Sequence, residues 1–229
     1  MSATPVERIG AVAGGGPLAT STGIDVLRAG GNAIDAVIAA AMVQGVVEIP
    51  AGGIGGDAFL LIRRADGRVT AINGSGASPV NLSSLLAAGD VIPRFGPLSV
   101  AVPGFVGAVE LAHSIGGSTP LAELFEPAIG FARDGFAVST ELAAAIARVR
   151  PTLAPDSELL GLFERHQVEP GGSFRRPQLA ATLERVARDG ADVFYGDIGA
   201  GMATRLSERG GVLTSDDLDG YAVAAVPPV

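Results

Sequence analysis

Apolar positions along this chain change period wherever glycines cluster, and those changes predict its elements. Ile9–Ala13 is a short apolar run and predicts a buried strand. Behind the turn Gly14-Gly15-Gly16, Leu18, Thr22, Val26 and Leu27 fall at helical spacing and predict a helix over Pro17–Arg28, with Pro17 suited to its first turn. Gly30-Gly31 ends that helix, and Asn32 is placed to cap the next, Ala33–Val46. The second helix is apolar on nearly every side, so it is expected between layers, with its one carboxylate, Asp35, hydrogen-bonded or ion-paired. After Gly52–Gly56, the runs Ala58–Arg63 and Arg68–Ile72 flank Ala65-Asp66-Gly67, a strong hairpin signal. From Gly104 the period turns helical, with helices expected at Phe105–Ser114, Pro120–Asp134, Thr140–Arg150, Arg176–Asp189 and Asp197–Arg209. Asp216-Asp217 is expected to cap a last helix. The pattern thus predicts an α/β (α+β) start over residues 1–103 and a helical layer over 104–229.

Composition narrows the chemistry. The chain has no Cys, no Trp and no Lys, and its sixteen basic residues are all Arg. Thiol and amine nucleophiles, thiolate zinc sites and the lysine of a phosphate loop are therefore excluded. Only His113 and His166 are available as imidazole bases, and neither has a second His or Cys at ligand spacing, so no metal and no cofactor are expected. A net charge of -8 disfavours nucleic acid and anionic membranes as partners. No signal peptide is visible in Met1–Arg8. The longest apolar run, Ala36–Val47, is too short to span a bilayer, so a cytoplasmic protein is expected. Gly52–Gly56 precedes a strand rather than a helix and does not fit a dinucleotide fingerprint. Its expected role is a tight connection, with Asp57 in a capping or turn role.

Six segments in order then carry a family resemblance: Pro17–Ala40, Gly53–Leu61, Val102–Gly107, Glu126–Phe136, Asp192–Gly196 and Gly210–Tyr221. Together they resemble the large-subunit portion of the gamma-glutamyltransferase family. The resemblance implies an αββα-sandwich N-terminal-nucleophile hydrolase, made as a precursor that cuts itself. A Thr at the new N-terminus of the small subunit attacks an amide, and its own α-amino group takes the proton. That accounts for a chain without Cys or Lys. The nucleophile-bearing block does not occur in these residues, so no catalytic residue is expected in this chain. The implied partners are the small subunit from the same precursor and a small-molecule amide or gamma-glutamyl substrate.

The substrate wall is expected at Asn73, Ser75, Gly76, Ala77 and Ser78. Typical relatives carry an Arg here, in a segment like Asp-Phe-Arg-Glu-x-Ala-Pro, to grip the donor's α-carboxylate. This chain reads Asn73-Gly74-Ser75-Gly76-Ala77-Ser78-Pro79 and has Ser75 in that place. Losing such a pair costs about 2–5 kcal/mol of binding, so glutathione is expected to be a poor substrate. Two alternatives stay open: a non-catalytic relative acting as a scaffold or binding protein, and a lone serine hydrolase pairing Ser75 or Ser78 with a His.

Overall fold

The computed structural model describes residues 10–87, 89 and 91–226. Helix α1 spans Pro17–Arg28 and α2 spans Ala33–Val47. Gly30, at φ 96°, turns the chain between them in a region that favours glycine. Asn32 caps α2 as expected: its side chain accepts from the N–H groups of Ile34 and Asp35, and the Asp35 carboxylate returns a bond to the Asn32 N–H. Apolar all round, α2 is buried along most of its length, with Ile38, Ala39, Met42 and Val43 inaccessible or nearly so. It packs against α1, α4 (Phe105–Gly116) and α5 (Leu121–Asp134). Helices α6 (Thr140–Val149), α7 (Glu158–Glu164) and α8 (Pro177–Val193) complete this part of the core. The chain breaks helical geometry at Gly190 (φ 76°), the residue after the expected end at Asp189. A wide helical turn, Phe194–Ile198, leads into α9 (Gly199–Ser207) and the short α10 (Ser215–Leu218). Thr214 caps α10 in a reciprocal bond with Asp217, so the acidic pair contributes its second member to the cap.

The hairpin forms as expected, β1 (Ala58–Arg63) pairing antiparallel with β2 (Val69–Gly74) from Ala58↔Gly74 to Arg63↔Val69. Strand β2 runs two residues beyond Ile72, which places Asn73 on the strand itself. The sheet gains a third strand absent from the sequence reading, β5 (Ala224–Val226), in the order β1-β2-β5. A two-residue pair, β3 (Phe136–Ala137) with β4 (Ser173–Phe174), brings the buried Phe136 and Phe174 rings to 5.9 Å. The expected strand at Ile9–Ala13 does not form over Gly10–Ala13, and Ile9 lies outside the described residues. Its single apolar pattern is not enough, because a strand needs a ladder partner and none of the described residues supplies one. Among the described residues no helix is long and apolar enough to cross a membrane.

Asp35 is the buried carboxylate that fastens the layers, and it uses hydrogen bonds rather than an ion pair. Besides the Asn32 N–H (2.9 Å), it accepts from the Ser118 N–H (2.9 Å), the Ser118 hydroxyl (2.5 Å) and the Thr119 hydroxyl (3.3 Å). Burial by itself raises its pKa, but these donors outweigh it and hold the carboxyl below its usual value. A folded-state pKa below the unfolded value of about 3.9 stabilises the fold at higher pH and is lost as pH falls through the folded value. Asp35→Asn is therefore expected to cost about 3 kcal/mol at pH 7, because an amide N–H₂ then faces donors. In urea denaturation the gap to wild type should shrink toward pH 3; an equal gap at both pH values contradicts the ionised assignment.

Candidate functional site

The segment Asn73–Ser78 leaves the end of β2 and is held against the residues that start α4. The approach is too close for side chains. A Cβ on Gly76 would overlap the Val102 carbonyl oxygen, and one on Gly104 would overlap that of Gly74. Glycine at these positions is a steric requirement. The Val102 N–H donates to the Ala77 carbonyl at 3.0 Å, and the Gly56 carbonyl accepts from both Gly104 and Phe105 N–H (3.0 and 2.9 Å). The Gly52–Gly56 connection thus serves the N-terminus of α4 through a carbonyl oxygen, as a structural joint.

Asp57 holds the segment from one side, accepting the Gly76 N–H at 3.1 Å. Tyr221 holds it from another, its hydroxyl donating to the Ser75 carbonyl at 2.9 Å. The Tyr195 ring lies 5.3 Å from that of Tyr221, tilted against it, and its hydroxyl donates to the Pro103 carbonyl (2.8 Å) and accepts from the Gly107 N–H (3.2 Å). Burial pushes the Tyr195 phenol up to about 12, only partly offset by the Gly107 N–H. Burial, reinforced by Asp57, raises Tyr221 as well. Both phenols therefore stay protonated near neutrality and keep their donors. Asp217 completes the frame: its carboxylate accepts the Val80 N–H at 2.8 Å and the Thr214 N–H and hydroxyl at 2.8 and 2.7 Å. Burial raises Asp217, yet those three bonds leave it below its usual value.

Of the residues singled out in the sequence, Asn73, Ser75, Ala77 and Ser78 present exposed side chains, and Gly76 is half-buried beneath them. The Asn73 side chain folds back to accept the Ser75 N–H at 3.0 Å. Among the described residues the hydroxyls of Ser75 and Ser78 have no hydrogen-bond partner. Neither His serves them. His113 Nε2 lies 2.7 Å from the Thr119 carbonyl, and His166 Nδ1 lies 2.8 Å from that of Leu162 with its ring against Phe174. The lone serine hydrolase is thereby left without its base. Sequence reasoning missed the anchoring roles of both tyrosines and of Asp57, and the bond from Asp217 to Val80 beside its predicted cap. Tyr221 lies about 146 residues from Ser75 in sequence, a separation that local pattern does not bridge.

The chain as a whole has known counterparts. The gamma-glutamyltranspeptidase family profile matches residues 19–229. Glutathione hydrolase proenzyme 1 of Schizosaccharomyces pombe is 37% identical over 212 residues, covering 90% of this chain and 34% of that protein. The capsule biosynthesis protein CapD proenzyme of Bacillus anthracis is 33% identical over 213 residues, covering 93% and 37%. The crystal structure of Helicobacter pylori gamma-glutamyltranspeptidase superposes with a TM-score of 0.90 at 31% identity, covering all of this chain and 68% of that one. The chain therefore spans between a third and two fifths of the length of these two curated relatives. A profile match over nearly the whole chain, joined to that superposition, shows that the chain belongs to the gamma-glutamyltranspeptidase family.

Proposed function

We propose that this chain is the large-subunit part of an autoprocessed amidohydrolase or acyltransferase, completed by a small subunit cut from the same precursor. The observation that carries the reading is the uncovered outer face of the β1-β2-β5 sheet. Phe59 and Leu61 on β1 are 69% and 79% exposed, and Val69 and Val226 stand exposed on the neighbouring strands. In the strand register Leu61 lies opposite Ala71 and Ala71 opposite Val226, so these side chains form one apolar face. Strand β1 also has no neighbour on its far side among the described residues. Bare apolar faces and open edges of this kind mark a surface that another sheet covers. Both relatives named above bear the word proenzyme in their names, which supports processing of a precursor.

In the proposed reaction a Thr hydroxyl of the small subunit adds to the substrate's amide carbonyl and its proton passes to the α-amino group. The amine then leaves with that proton, forming an acyl ester. Water, or a second amine, attacks the ester and releases the acid or the new amide together with the free Thr. The contribution of this chain is the wall Asn73–Ser78, held rigid by Asp57, Tyr221 and the Val102–Gly104 backbone. Ser75 offers a hydroxyl in place of a guanidinium, which supports an acyl group whose end is neutral. The same substitution gives some support to a non-catalytic relative.

Intact mass and N-terminal sequencing of the whole-gene product separate the two readings. A second polypeptide beginning with Thr or Ser is expected; a single uncut chain, or a partner beginning with another residue, rejects the hydrolase. In the active enzyme Ser75→Arg is expected to raise kcat/KM for donors with a free α-carboxylate by about tenfold or more while leaving neutral acyl donors little changed. Equal effects on both donor classes place Ser75 away from the acyl group. Tyr221→Phe removes one net hydrogen bond, about 1 kcal/mol, and is expected to lower kcat/KM by about fivefold through looser positioning. No change in kcat/KM means that the wall does not need that anchor.

A further inference from the structure

A concave site of about 430 Å³ lies between the Pro50-Ala51 turn, the C-terminal end of α6 and the Arg94-Phe95 pair. Its wall is apolar at Pro50, Ala51, Phe95 and Val149, and its charged groups are the guanidiniums of Arg94 and Arg148. Among the described residues no carboxylate lines it. Several arginines elsewhere, such as Arg28, Arg188 and Arg205, hold carboxylates at 3.1, 2.7 and 2.8 Å. Among the described residues neither Arg94 nor Arg148 is so paired. The Arg94 guanidinium lies over the Phe95 ring, 5.4 Å from its centroid, which steadies the group and weakens its need for water. Pro50 and Ala51 belong to the turn that runs into Gly52–Asp57, and Arg94 to the excursion that begins at Ser75 and closes at Val102.

We propose that this pocket binds an organic carboxylate with an apolar body, its carboxylate held by Arg94 and Arg148 and its hydrocarbon part against Phe95, Pro50 and Val149. Two guanidinium forks supply planar, charge-assisted donors to a carboxylate, and the apolar wall contributes only if the anion carries hydrocarbon. An inorganic anion uses the first feature and wastes the second. Binding here needs no catalysis, so it holds or fails separately from the acyl-transfer reading.

The test is calorimetric titration of the whole-gene product with 3-phenylpropionate, its neutral amide and inorganic phosphate. The expected result is saturable binding of the acid, with the amide and phosphate each at least tenfold weaker. Arg94→Ala and Arg148→Ala each weaken the acid by about tenfold, and the double variant abolishes its binding, with an unchanged thermal midpoint showing that the fold is intact. If the double variant fails to fold, Arg148→Gln and Arg94→Gln carry the same expectation singly. The proposal is overturned if the acid shows no saturable binding up to about 10 mM, if the amide or phosphate binds as tightly, or if folded variants bind like wild type.

Discussion

One buried carboxylate sets where the helices of this chain can lie. Asp35 gathers the Asn32 N–H at the start of α2 and the Ser118 and Thr119 donors that follow α4. The Asn32 side chain adds a second tie, donating to the Gly116 carbonyl at 2.7 Å. The C-terminal end of α4 is thereby fixed to the N-terminal end of α2. At its other end α4 begins on the Gly56 carbonyl and beneath the Gly74–Gly76 backbone. A helix held at both ends cannot slide by a turn without breaking one set of bonds, so Asp35 and the Ser75 segment bear on opposite ends of one fixed helix.

The Ser75 segment is unusual in how little charge it carries. Its own side chains are neutral; the Tyr221 phenol and the Asp57 carboxylate hold it directly, and the Asp217 carboxylate holds Val80 just beyond it. Those carboxylates spend acceptor capacity on backbone N–H groups of Gly76 and Val80 rather than on a cation. The segment is therefore rigid without being electropositive. In the proposed role of a substrate wall, such a segment selects by shape and by single hydrogen bonds, whereas an Arg at position 75 would select by charge.

Much of the helical frame was legible because local rules and packing agree there. For α1 and α2, Pro17, Gly30 and Asn32 supply start, stop and cap signals, and the structure uses all three. Asp35 was legible as a satisfied buried group, but not its partners, since Ser118 lies more than eighty residues away. Strands fared worse. The Asp66-Gly67 turn specifies its hairpin locally, and the hairpin forms there. Strands β3, β4 and β5 have only two or three residues each, too few for any period to show. The two residues that hold Ser75 from outside its loop, Asp57 and Tyr221, act through backbone groups, and no side-chain pattern announces a bond of that kind.

The unformed strand at Gly10–Ala13 and the bare face of the sheet have one physical origin. A strand is stabilised by a ladder on its edges and by a packed layer on its face, and neither exists until a neighbour arrives. Helices meet their backbone hydrogen bonds internally, so this chain completes its helical layer alone and buries Phe125, Phe163 and Leu183 in it. Among the described residues its larger sheet has three strands and one apolar face outward, and Gly10–Ala13 pairs with none of them. A helical layer that packs by itself beside a sheet left bare on one face is the asymmetry that the proposed second subunit accounts for, by covering that face.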